Sequence, residues 1–175
     1  MVREISFHEH QPTIAQMRRD AFGSGLNHAI DEFDAAAHHF AFFNEAQEIT
    51  ALIRLLRSDE VPKLELQCES DAKDLVWPSS GLIMETSRGC GRKGASGMPL
   101  MHLSRALDSY ARQHKAAHIV SKTGRTLLPF YQAMGFRIFG KPFYSDWFDD
   151  KARQAPSIPI IYDFAPLPEE EVLVW

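Results

Sequence analysis

One short stretch in the middle of the chain combines small residues with basic ones. It lies within Leu82 to Met101, LIMETSRGCGRKGASGMPLM, after apolar residues dense enough for a buried strand and before an apolar pattern of helical period. A glycine-rich turn between a strand and a helix is a common anion site, because free backbone N–H groups and the helix dipole point at one spot. An ordinary connection with a solvated basic pair fits this turn equally well. The candidate phosphate-binding residues are Arg92, Lys93, Gly94, Ala95, Ser96 and Gly97.

A carboxylate lies on the apolar segment just before this turn. Glu85 would be buried there, and burial raises the pKa of a carboxyl towards the range of a general base. The alternative is a structural role as the partner of Arg54 or Arg88, because buried ions are normally paired, and the two roles are compatible. A phosphate-binding turn with a carboxylate upstream suggests an enzyme that holds a phosphorylated carrier and removes a proton beside it.

An arginine interrupts the apolar strand predicted between residues 49 and 56. Arg54 shares a strand face with apolar neighbours, and a buried arginine needs an anionic partner. The candidate partners are Asp31, Asp34 and Glu85. On spacing alone, the two aspartates are better explained as a capping or solvated pair in a loop.

Helices and strands must position these residues, and their order along the sequence predicts a mixed α/β arrangement. The length predicts one domain, residues 1–175. A polar excursion over residues 58–80 is predicted at the surface, with one short helix, and its length suggests a functional loop. The predicted strands are Val2–Phe7, His39–Asn44, Ile49–Leu56, the segment around Glu85, Ala117–Ser121, Phe136–Phe139 and Ile158–Phe164. The predicted helices run from Pro12-Thr13 to Gly23, along the stripe Leu100, Leu103, Leu107, Tyr110 and His114, and from Thr126 to Met134 before Gly135.

Composition excludes several classes of protein. A net charge of -4 argues against a general nucleic-acid binder, which normally has a basic stripe. There is no run of 18 apolar residues for a membrane span, and the N-terminus lacks the hydrophobic core of a signal peptide. Cys68 and Cys90 form neither a disulfide framework nor a zinc set, and the histidine pairs lack a third ligand. We therefore expect a cytoplasmic protein without a metal.

Two motifs resemble the GNAT acyltransferase superfamily. The turn from Arg92 to Gly97 is similar to its pyrophosphate-binding signature, Arg/Gln-x-x-Gly-x-Gly/Ala, with Ala95 where the first glycine is usual. The sequence YQAMGF, Tyr131 to Phe136, looks like the Tyr-x-x-x-Gly-Phe of the family's last helix and following strand. The resemblance implies a GNAT-like fold, whose mostly antiparallel central sheet is flanked by helices and splayed at the strand of Glu85. It also implies acyl-CoA as the co-substrate.

A further set of charged residues resembles one branch of that superfamily, the acyl-homoserine-lactone (autoinducer) synthases and their relatives that make N-acyl amino acids from acyl-carrier protein. The resemblance covers roughly residues 14 to 164 and implies acyl transfer by direct attack in a ternary complex. It makes acyl-carrier protein the alternative donor, which would need a basic docking surface. The matching residues are Asp31-x-x-Asp34, Arg54-Leu55, Glu85-x-Ser87-Arg88, and Arg18 with Phe22. The candidate docking residues are Arg92, Lys93, Arg112 and Lys115.

The resemblance also implies roles for individual side chains. Glu85 would accept the proton of the acceptor amine, and Tyr131 would protonate the departing thiolate, although a core aromatic fits the position of Tyr131 as well. The acceptor is expected to be a small-molecule amine or an amino acid. The alternative is a non-catalytic module that binds or senses acyl thioesters on the same fold. Asp31 and Asp34 would bind the acceptor's ammonium or fix Arg54, while Arg18, Arg54 and Arg88 would hold an acceptor carboxylate or lock the acids in place.

Overall fold

The computed structural model describes residues 1–23, 26–72, 74–94, 97–148 and 155–164. The strands are β1 Val2–Ile5, β2 His38–Phe43, β3 Ile49–Arg57, β4 Leu82–Gly91, β5 Ala116–Thr123, β6 Arg137–Ile138 and β7 Ile158–Asp163. The helices are α1 Phe7–Phe22, α2 Glu65–Cys68, α3 Met98–Gln113 and α4 Leu128–Ala133, with a 3₁₀ turn at Asp34–Ala36. No helix within these described ranges is long and apolar enough to cross a bilayer. The mixed α/β fold class predicted from the sequence is confirmed.

The strands form one sheet that separates into two halves at its centre. Their order is β1-β2-β3-β4-β5-β7-β6, and all neighbours are antiparallel except β4 and β5. The parallel pairing of β4 with β5 ends at Thr86 and Ser121, where the Ser121 hydroxyl donates to the Thr86 carbonyl oxygen at 2.7 Å. Beyond this pair β4 continues along β3, and β5 continues along β7. The predicted splay therefore lies directly after Glu85.

Alternation along β3 separates two chemically different faces of the sheet. Leu55 packs with Leu103 of α3 in one core cluster. Leu52 points to the other face, where it packs with Ile14 of α1 in a second cluster. Arg54 lies on that second face with no exposed side-chain area. Because successive side chains of a strand point to opposite faces, α1 and α2 cover the charged residues and α3 and α4 cover an apolar face.

Helix α1 begins earlier than the predicted start at Pro12-Thr13. The first helical residue is Phe7, and the Ser6 hydroxyl accepts a backbone N–H of the first turn at 3.4 Å. A proline inside a helix removes one backbone hydrogen bond. The turn before it is retained because Phe7 stacks on the buried ring of His39, with 5.3 Å between the ring centroids. The predicted end of the helix at Gly23 is correct, and this residue has φ +80.

The segment over residues 58–80 contains the expected short helix, α2, but it is not a surface excursion throughout. Leu64 and Leu66 are fully buried and pack in a cluster with Ile83 of β4 and Val120 of β5. Leucines alternate with acids around α2, but the pattern is too short to show the period of a strand or a helix. The sequence therefore did not predict that these leucines are buried. This packing brings α2 against the charged face of the sheet.

Candidate active site

A cluster of buried charges lies on the face covered by α1 and α2, with Arg54 at its centre. One terminal nitrogen of Arg54, Nη1, contacts Asp31 Oδ1 at 2.5 Å and Asp34 Oδ1 at 3.0 Å. The other, Nη2, contacts Glu65 Oε2 at 2.5 Å. Its Nε donates to the Ser87 hydroxyl oxygen at 3.0 Å. Two of the partners expected from the sequence are thus present, and Glu65 replaces Glu85 as the third.

Asp34 is the most enclosed acid of the cluster. Both of its carboxylate oxygens accept hydrogen bonds from Arg18 of α1, each at 2.8 Å, and neither side chain is exposed. Burial by itself raises the pKa of Asp34, but the Arg18 hydrogen bonds and the charge of Arg54 outweigh it and hold that pKa well below its usual range. This geometry fits the role of fixing the two arginines better than contact with an acceptor.

A β-bulge turns Arg88 towards the same cluster. The register between β3 and β4 shifts at this point, and Arg88 has φ +56. Because a bulge adds an unpaired residue to the strand, Ser87 and Arg88 can both point to the face of α1. Nη2 of Arg88 contacts Asp31 Oδ2 at 2.9 Å. Asp31 therefore bridges Arg54 and Arg88.

Two residues that the sequence analysis did not assign to the site complete this cluster. Glu65 of α2 is buried, and one of its oxygens, Oε1, accepts the indole N–H of Trp147 and lies 3.5 Å from Nη2 of Arg88. Burial raises the pKa of Glu65, but the positive charges of Arg54, Lys122 and Arg88 outweigh it and lower that pKa to about 2. Glu65 is consequently a charged, structural member of the cluster at neutral pH.

Lys122 of β5 reaches the cluster from the other half of the sheet. Its side chain is buried, forms an ion pair with Glu69 and donates to the Ser145 hydroxyl oxygen at 2.8 Å. The Ser145 hydroxyl in turn donates to Glu69 at 2.9 Å. The Lys122 ammonium also lies 3.7 Å from the centroid of the Trp147 ring. A lysine at the end of an apolar strand, and the acids Glu65 and Glu69 one helical turn apart, were the available sequence signals.

Glu85 lies on the same face of the sheet and is fully enclosed. Both of its oxygens accept the backbone N–H of Leu66, at 3.0 and 3.1 Å. Burial raises the pKa of Glu85, and the negative charge of Glu65 adds to this, giving a value of about 8. The Leu66 N–H and the charges of Lys122 and Arg54 oppose the rise. The carboxyl is therefore mostly protonated at neutral pH and titrates in the range of a general base.

A large cavity lies on the opposite face of the sheet, between α3 and α4. It has a volume of about 590 Å³, and we call it the apolar cavity. Tyr131 of α4 forms part of its wall, and burial raises the pKa of this phenol, which keeps it protonated at neutral pH. Tyr131 and Glu85 are on the two faces of the sheet, so the structure does not bring them into contact. Most of the other lining residues are apolar or aromatic, among them Ile53, Leu107, Ile119, Met134, Phe136 and Tyr162, and the polar ones are Thr86, Ser104, Arg105, Asp108 and Ser109.

Two smaller cavities continue from the apolar cavity across the sheet. The splay cavity, about 220 Å³, lies between the separated ends of β4 and β5 and shares the walls Thr86 and Tyr131 with the apolar cavity. The acidic cavity, about 200 Å³, lies beside the charge cluster and shares the walls Arg88 and Trp147 with the splay cavity. The acids that line the acidic cavity are Asp31, Glu32, Glu65, Glu69 and Asp146.

The glycine-rich turn lies at one end of the splayed strand, directly before α3. Gly94 has φ +83, a conformation that favours glycine, and Arg92 is half-exposed. Gly97 is the N-cap residue of α3, and among the described residues no side chain caps that end of the helix. Of the six residues proposed for the turn, the structure describes Arg92, Lys93, Gly94 and Gly97, and Ala95 and Ser96 lie outside the described residues.

No protein-family model matches the sequence, and no curated protein matches it. Solved structures do share its fold. FeeM, an N-acyl amino acid synthase from uncultured soil microbes, matches with a TM-score of 0.70 at 16% identity, over 93% of this chain and 90% of FeeM. BjaI, a CoA-dependent acyl-homoserine lactone synthase solved with SAM and isopentyl-CoA, matches with a TM-score of 0.68 at 16% identity, over 95% and 84%.

A Bacillus subtilis acetyltransferase in complex with CoA matches with a TM-score of 0.61 at 15% identity, over 94% of this chain and 98% of that one. All three are enzymes that transfer acyl groups. At such identities the similarity establishes the fold, and the chain has the fold of the GNAT acyltransferases. The resemblance found in the sequence motifs is thereby confirmed at the level of the fold.

Proposed function

We propose that this protein is an N-acyltransferase that moves an acyl group from an acyl thioester to the amine of a small molecule or amino acid. The observation that carries the proposal is the row of three cavities that crosses the sheet at the splay. An apolar cavity suits an acyl chain, and a cavity lined by acids suits an ammonium group. The splay between them offers strand backbone to an extended carrier arm. This arrangement supports direct attack in a ternary complex.

The donor is proposed to bind along the splay, with its phosphates at the turn from Arg92 to Gly97. Backbone N–H groups at the uncapped start of α3 would face those phosphates, and Arg92 and Lys93 would add positive charge. The complexes of BjaI with isopentyl-CoA and of the B. subtilis acetyltransferase with CoA support coenzyme A as the carrier. Acyl-carrier protein is the alternative donor, and the basic residues Arg92, Lys93, Arg112 and Lys115 are its proposed docking surface.

The acceptor is proposed to bind in the acidic cavity, with its amine directed at the splay. Asp31 and Glu65 contribute carboxylates to the wall of this cavity, and Arg88 is the cation that an acceptor carboxylate would contact. FeeM and BjaI are named as synthases of N-acyl amino acids and acyl-homoserine lactones, which agrees with a small amine acceptor. Asp34, Arg18 and Arg54 would support this site by holding Asp31 and Arg88 in place.

The reaction requires two proton movements around one substitution. The amine nitrogen attacks the thioester carbonyl carbon, the tetrahedral intermediate collapses, and the carbon–sulfur bond breaks. Glu85, once ionised, takes the amine proton through a water molecule, because its own carboxyl is enclosed. Tyr131 gives a proton to the departing thiolate from the wall that the apolar and splay cavities share. Glu85 and Tyr131, on opposite faces of the sheet, thus act on the attacking amine and on the departing thiolate respectively.

A non-catalytic module that binds acyl thioesters is the second candidate function. The enclosure of Glu85 favours it, since among the described residues this carboxylate lines none of the three cavities and both oxygens face the Leu66 N–H. Such a module would retain the turn and the apolar cavity and would release no thiol.

The deciding experiment measures thiol release by the purified protein with acyl-CoA and acyl-carrier-protein donors of several chain lengths. Pooled amines and amino acids serve as acceptors, and products are identified by mass. Acceptor-dependent release with an N-acyl product supports the transferase and identifies its carrier. Tight donor binding without release across the acceptor pool supports the binding module. Absence of both binding and release would contradict both functions.

A further inference from the structure

Trp147 forms a wall that the splay cavity and the acidic cavity have in common. It lies in the segment between β6 and β7. This tryptophan belongs to none of the three apolar core clusters that the described residues form. A large aromatic side chain outside the core, placed between two cavities, needs an explanation other than packing of the fold.

The ring of Trp147 is held by charged groups from both halves of the splayed sheet. The Arg88 guanidinium carbon lies 4.0 Å from the ring centroid, and the Lys122 ammonium nitrogen lies 3.7 Å from it. Cations at these distances over an indole are attracted by its electron-rich face, more strongly when they are shielded from water. The indole N–H donates to Glu65, which fixes the rotation of the ring. Phe22 packs edge-on at 5.8 Å between ring centroids.

The backbone of the same loop is tied to the two segments that enclose the acidic cavity. The N–H of Asn27 donates to the Trp147 carbonyl oxygen at 2.8 Å, and the N–H of Trp147 donates to the Ser145 hydroxyl oxygen at 3.2 Å. The N–H of Asp146 donates to Glu69 at 2.6 Å. Both the ring and the backbone of Trp147 are therefore anchored between the two cavities.

We propose that Trp147, held by Arg88, Lys122 and Glu65, is a specificity-determining partition that shields the thioester from bulk water and leaves it open to an acceptor amine bound in the acidic cavity. This inference rests on the proposed acyl transfer, for which the thioester lies in the splay cavity and the acceptor in the acidic cavity. A nucleophile in the acidic cavity reaches the carbonyl carbon along the wall that this ring forms. Exclusion of water from a reactive intermediate suppresses its hydrolysis.

Removal of the partition should therefore open a competing reaction. Water would attack the same carbonyl carbon, the carbon–sulfur bond would break, and the products would be a carboxylic acid and the free thiol. In the intended reaction the amine nitrogen forms the new bond, and each thiol released corresponds to one N-acyl product. The ratio of N-acyl product to thiol thus measures how much of the thioester is cleaved by the amine and not by water, independently of the overall rate.

The test compares Trp147→Ala and Trp147→Phe with the unmodified protein and with Trp77→Ala. Trp77 packs edge-on against Phe139, away from the three cavities, so its removal is a matched loss of an indole. An acyl-CoA is first mixed with excess protein and no acceptor, and the appearance of acid and thiol is followed. The same donor is then supplied in excess with an amine acceptor, and the product-to-thiol ratio is measured.

We expect Trp147→Ala to hydrolyse bound donor severalfold faster than the unmodified protein and to give a ratio well below one. Trp147→Phe, which retains a ring, should lie between them, and Trp77→Ala should behave as the unmodified protein. An unchanged ratio and unchanged hydrolysis in Trp147→Ala would overturn the inference. A proportional fall of transfer and hydrolysis in a Trp147→Ala protein that remains folded would also overturn it, since removal of the ring would then open no route for water. The Phe variant gives the same test if the Ala variant does not fold.

Failure of the proposed function gives a different result. If the unmodified protein binds acyl-CoA and acylates no amine, the transferase assignment is wrong. The acceptor-free experiment then still decides the partition, because protection of bound thioester in the unmodified protein and its loss in Trp147→Ala need no acceptor. If the unmodified protein binds no acyl thioester, both the function and the partition are refuted.

Discussion

Replacement of Glu85 by glutamine should make the protein more stable at alkaline pH while it lowers turnover. Glutamine has almost the shape of a protonated carboxyl, and its carbonyl oxygen can still accept the backbone N–H of Leu66. It cannot ionise. The substitution therefore removes the cost of ionising a fully buried carboxyl next to Glu65, and it removes the proposed general base with it.

The magnitude follows from the pKa of Glu85, which burial and the negative charge of Glu65 raise from 4.5 to about 8. At about 1.4 kcal/mol for each tenfold change in proton affinity, this difference amounts to at most about 5 kcal/mol. The folded protein holds this proton more tightly than the unfolded chain does. The stability that Glu85 provides is thus fully present below pH 4.5 and is lost as the pH rises to about 8. The gain from Glu85→Gln should therefore be absent below pH 4.5 and should grow to its full size as the pH rises to about 8.

The assay is denaturant unfolding of both proteins at intervals between pH 5 and pH 9. Glu45→Gln is the matched control, because it makes the same chemical change at an exposed position in the turn between β2 and β3. The difference in unfolding free energy between Glu85→Gln and the unmodified protein should widen with pH, and the control difference should stay constant. If the unfolding free energies of Glu85→Gln and the unmodified protein differ by the same amount at every pH, Glu85 is not a buried carboxyl with a raised pKa.

Kinetics of the same variant test the proposed role of Glu85 in catalysis. Turnover of the unmodified protein should rise with pH through about 8, as the base ionises. Glu85→Gln should lose that rise and most of its turnover, with donor affinity little changed. An equal loss of turnover and donor affinity, or no loss of either, would exclude Glu85 as the base.

Three further substitutions test other parts of the structure. Arg54→Met should cost about 3–5 kcal/mol of unfolding free energy, because it leaves buried acids without their shared cation; a loss below about 1 kcal/mol in denaturant unfolding would contradict this. His38 lies between Glu4 and Glu60, at 2.7 and 2.8 Å; burial lowers its pKa, but these hydrogen bonds outweigh burial and raise it above 6.5. Its stabilisation is therefore present below pH 6.5 and lost as the pH rises through the folded-state pKa. His38→Gln should cost about 1 kcal/mol at pH 5.5 and less at pH 9, and thermal unfolding with the same loss at both would argue against the ion pairs. Tyr131→Phe should lower turnover on the order of a hundredfold at unchanged donor affinity if the phenol protonates the thiolate; single-turnover thiol release that matches the unmodified protein would remove that role.

Local patterns in the sequence were sufficient for the main elements of the fold and for part of the charge cluster. Strand alternation around Arg54 predicted a buried arginine, and a buried arginine requires acids. Asp31, Asp34 and Glu85 were its candidate partners, and the structure pairs it with the first two. The apolar run before the glycine-rich turn predicted the strand that carries Glu85. In contrast, the start of α1 was predicted too late, because the Ser6 cap and the packing of Phe7 outweigh the cost of a proline inside the helix.

The sequence by itself determined the periodicity of the strands, the positions of the turns and the requirement that buried charges be paired. Only the tertiary structure decided which partners meet. The contact of Glu65 with Trp147 joins residues 82 positions apart, and no local pattern encodes such a distance. The bulge that redirects Arg88 depends on how β4 pairs with β3. The separation of Glu85 and Tyr131 follows from the sheet itself, because alternate residues of a strand face opposite sides and helices pack on both.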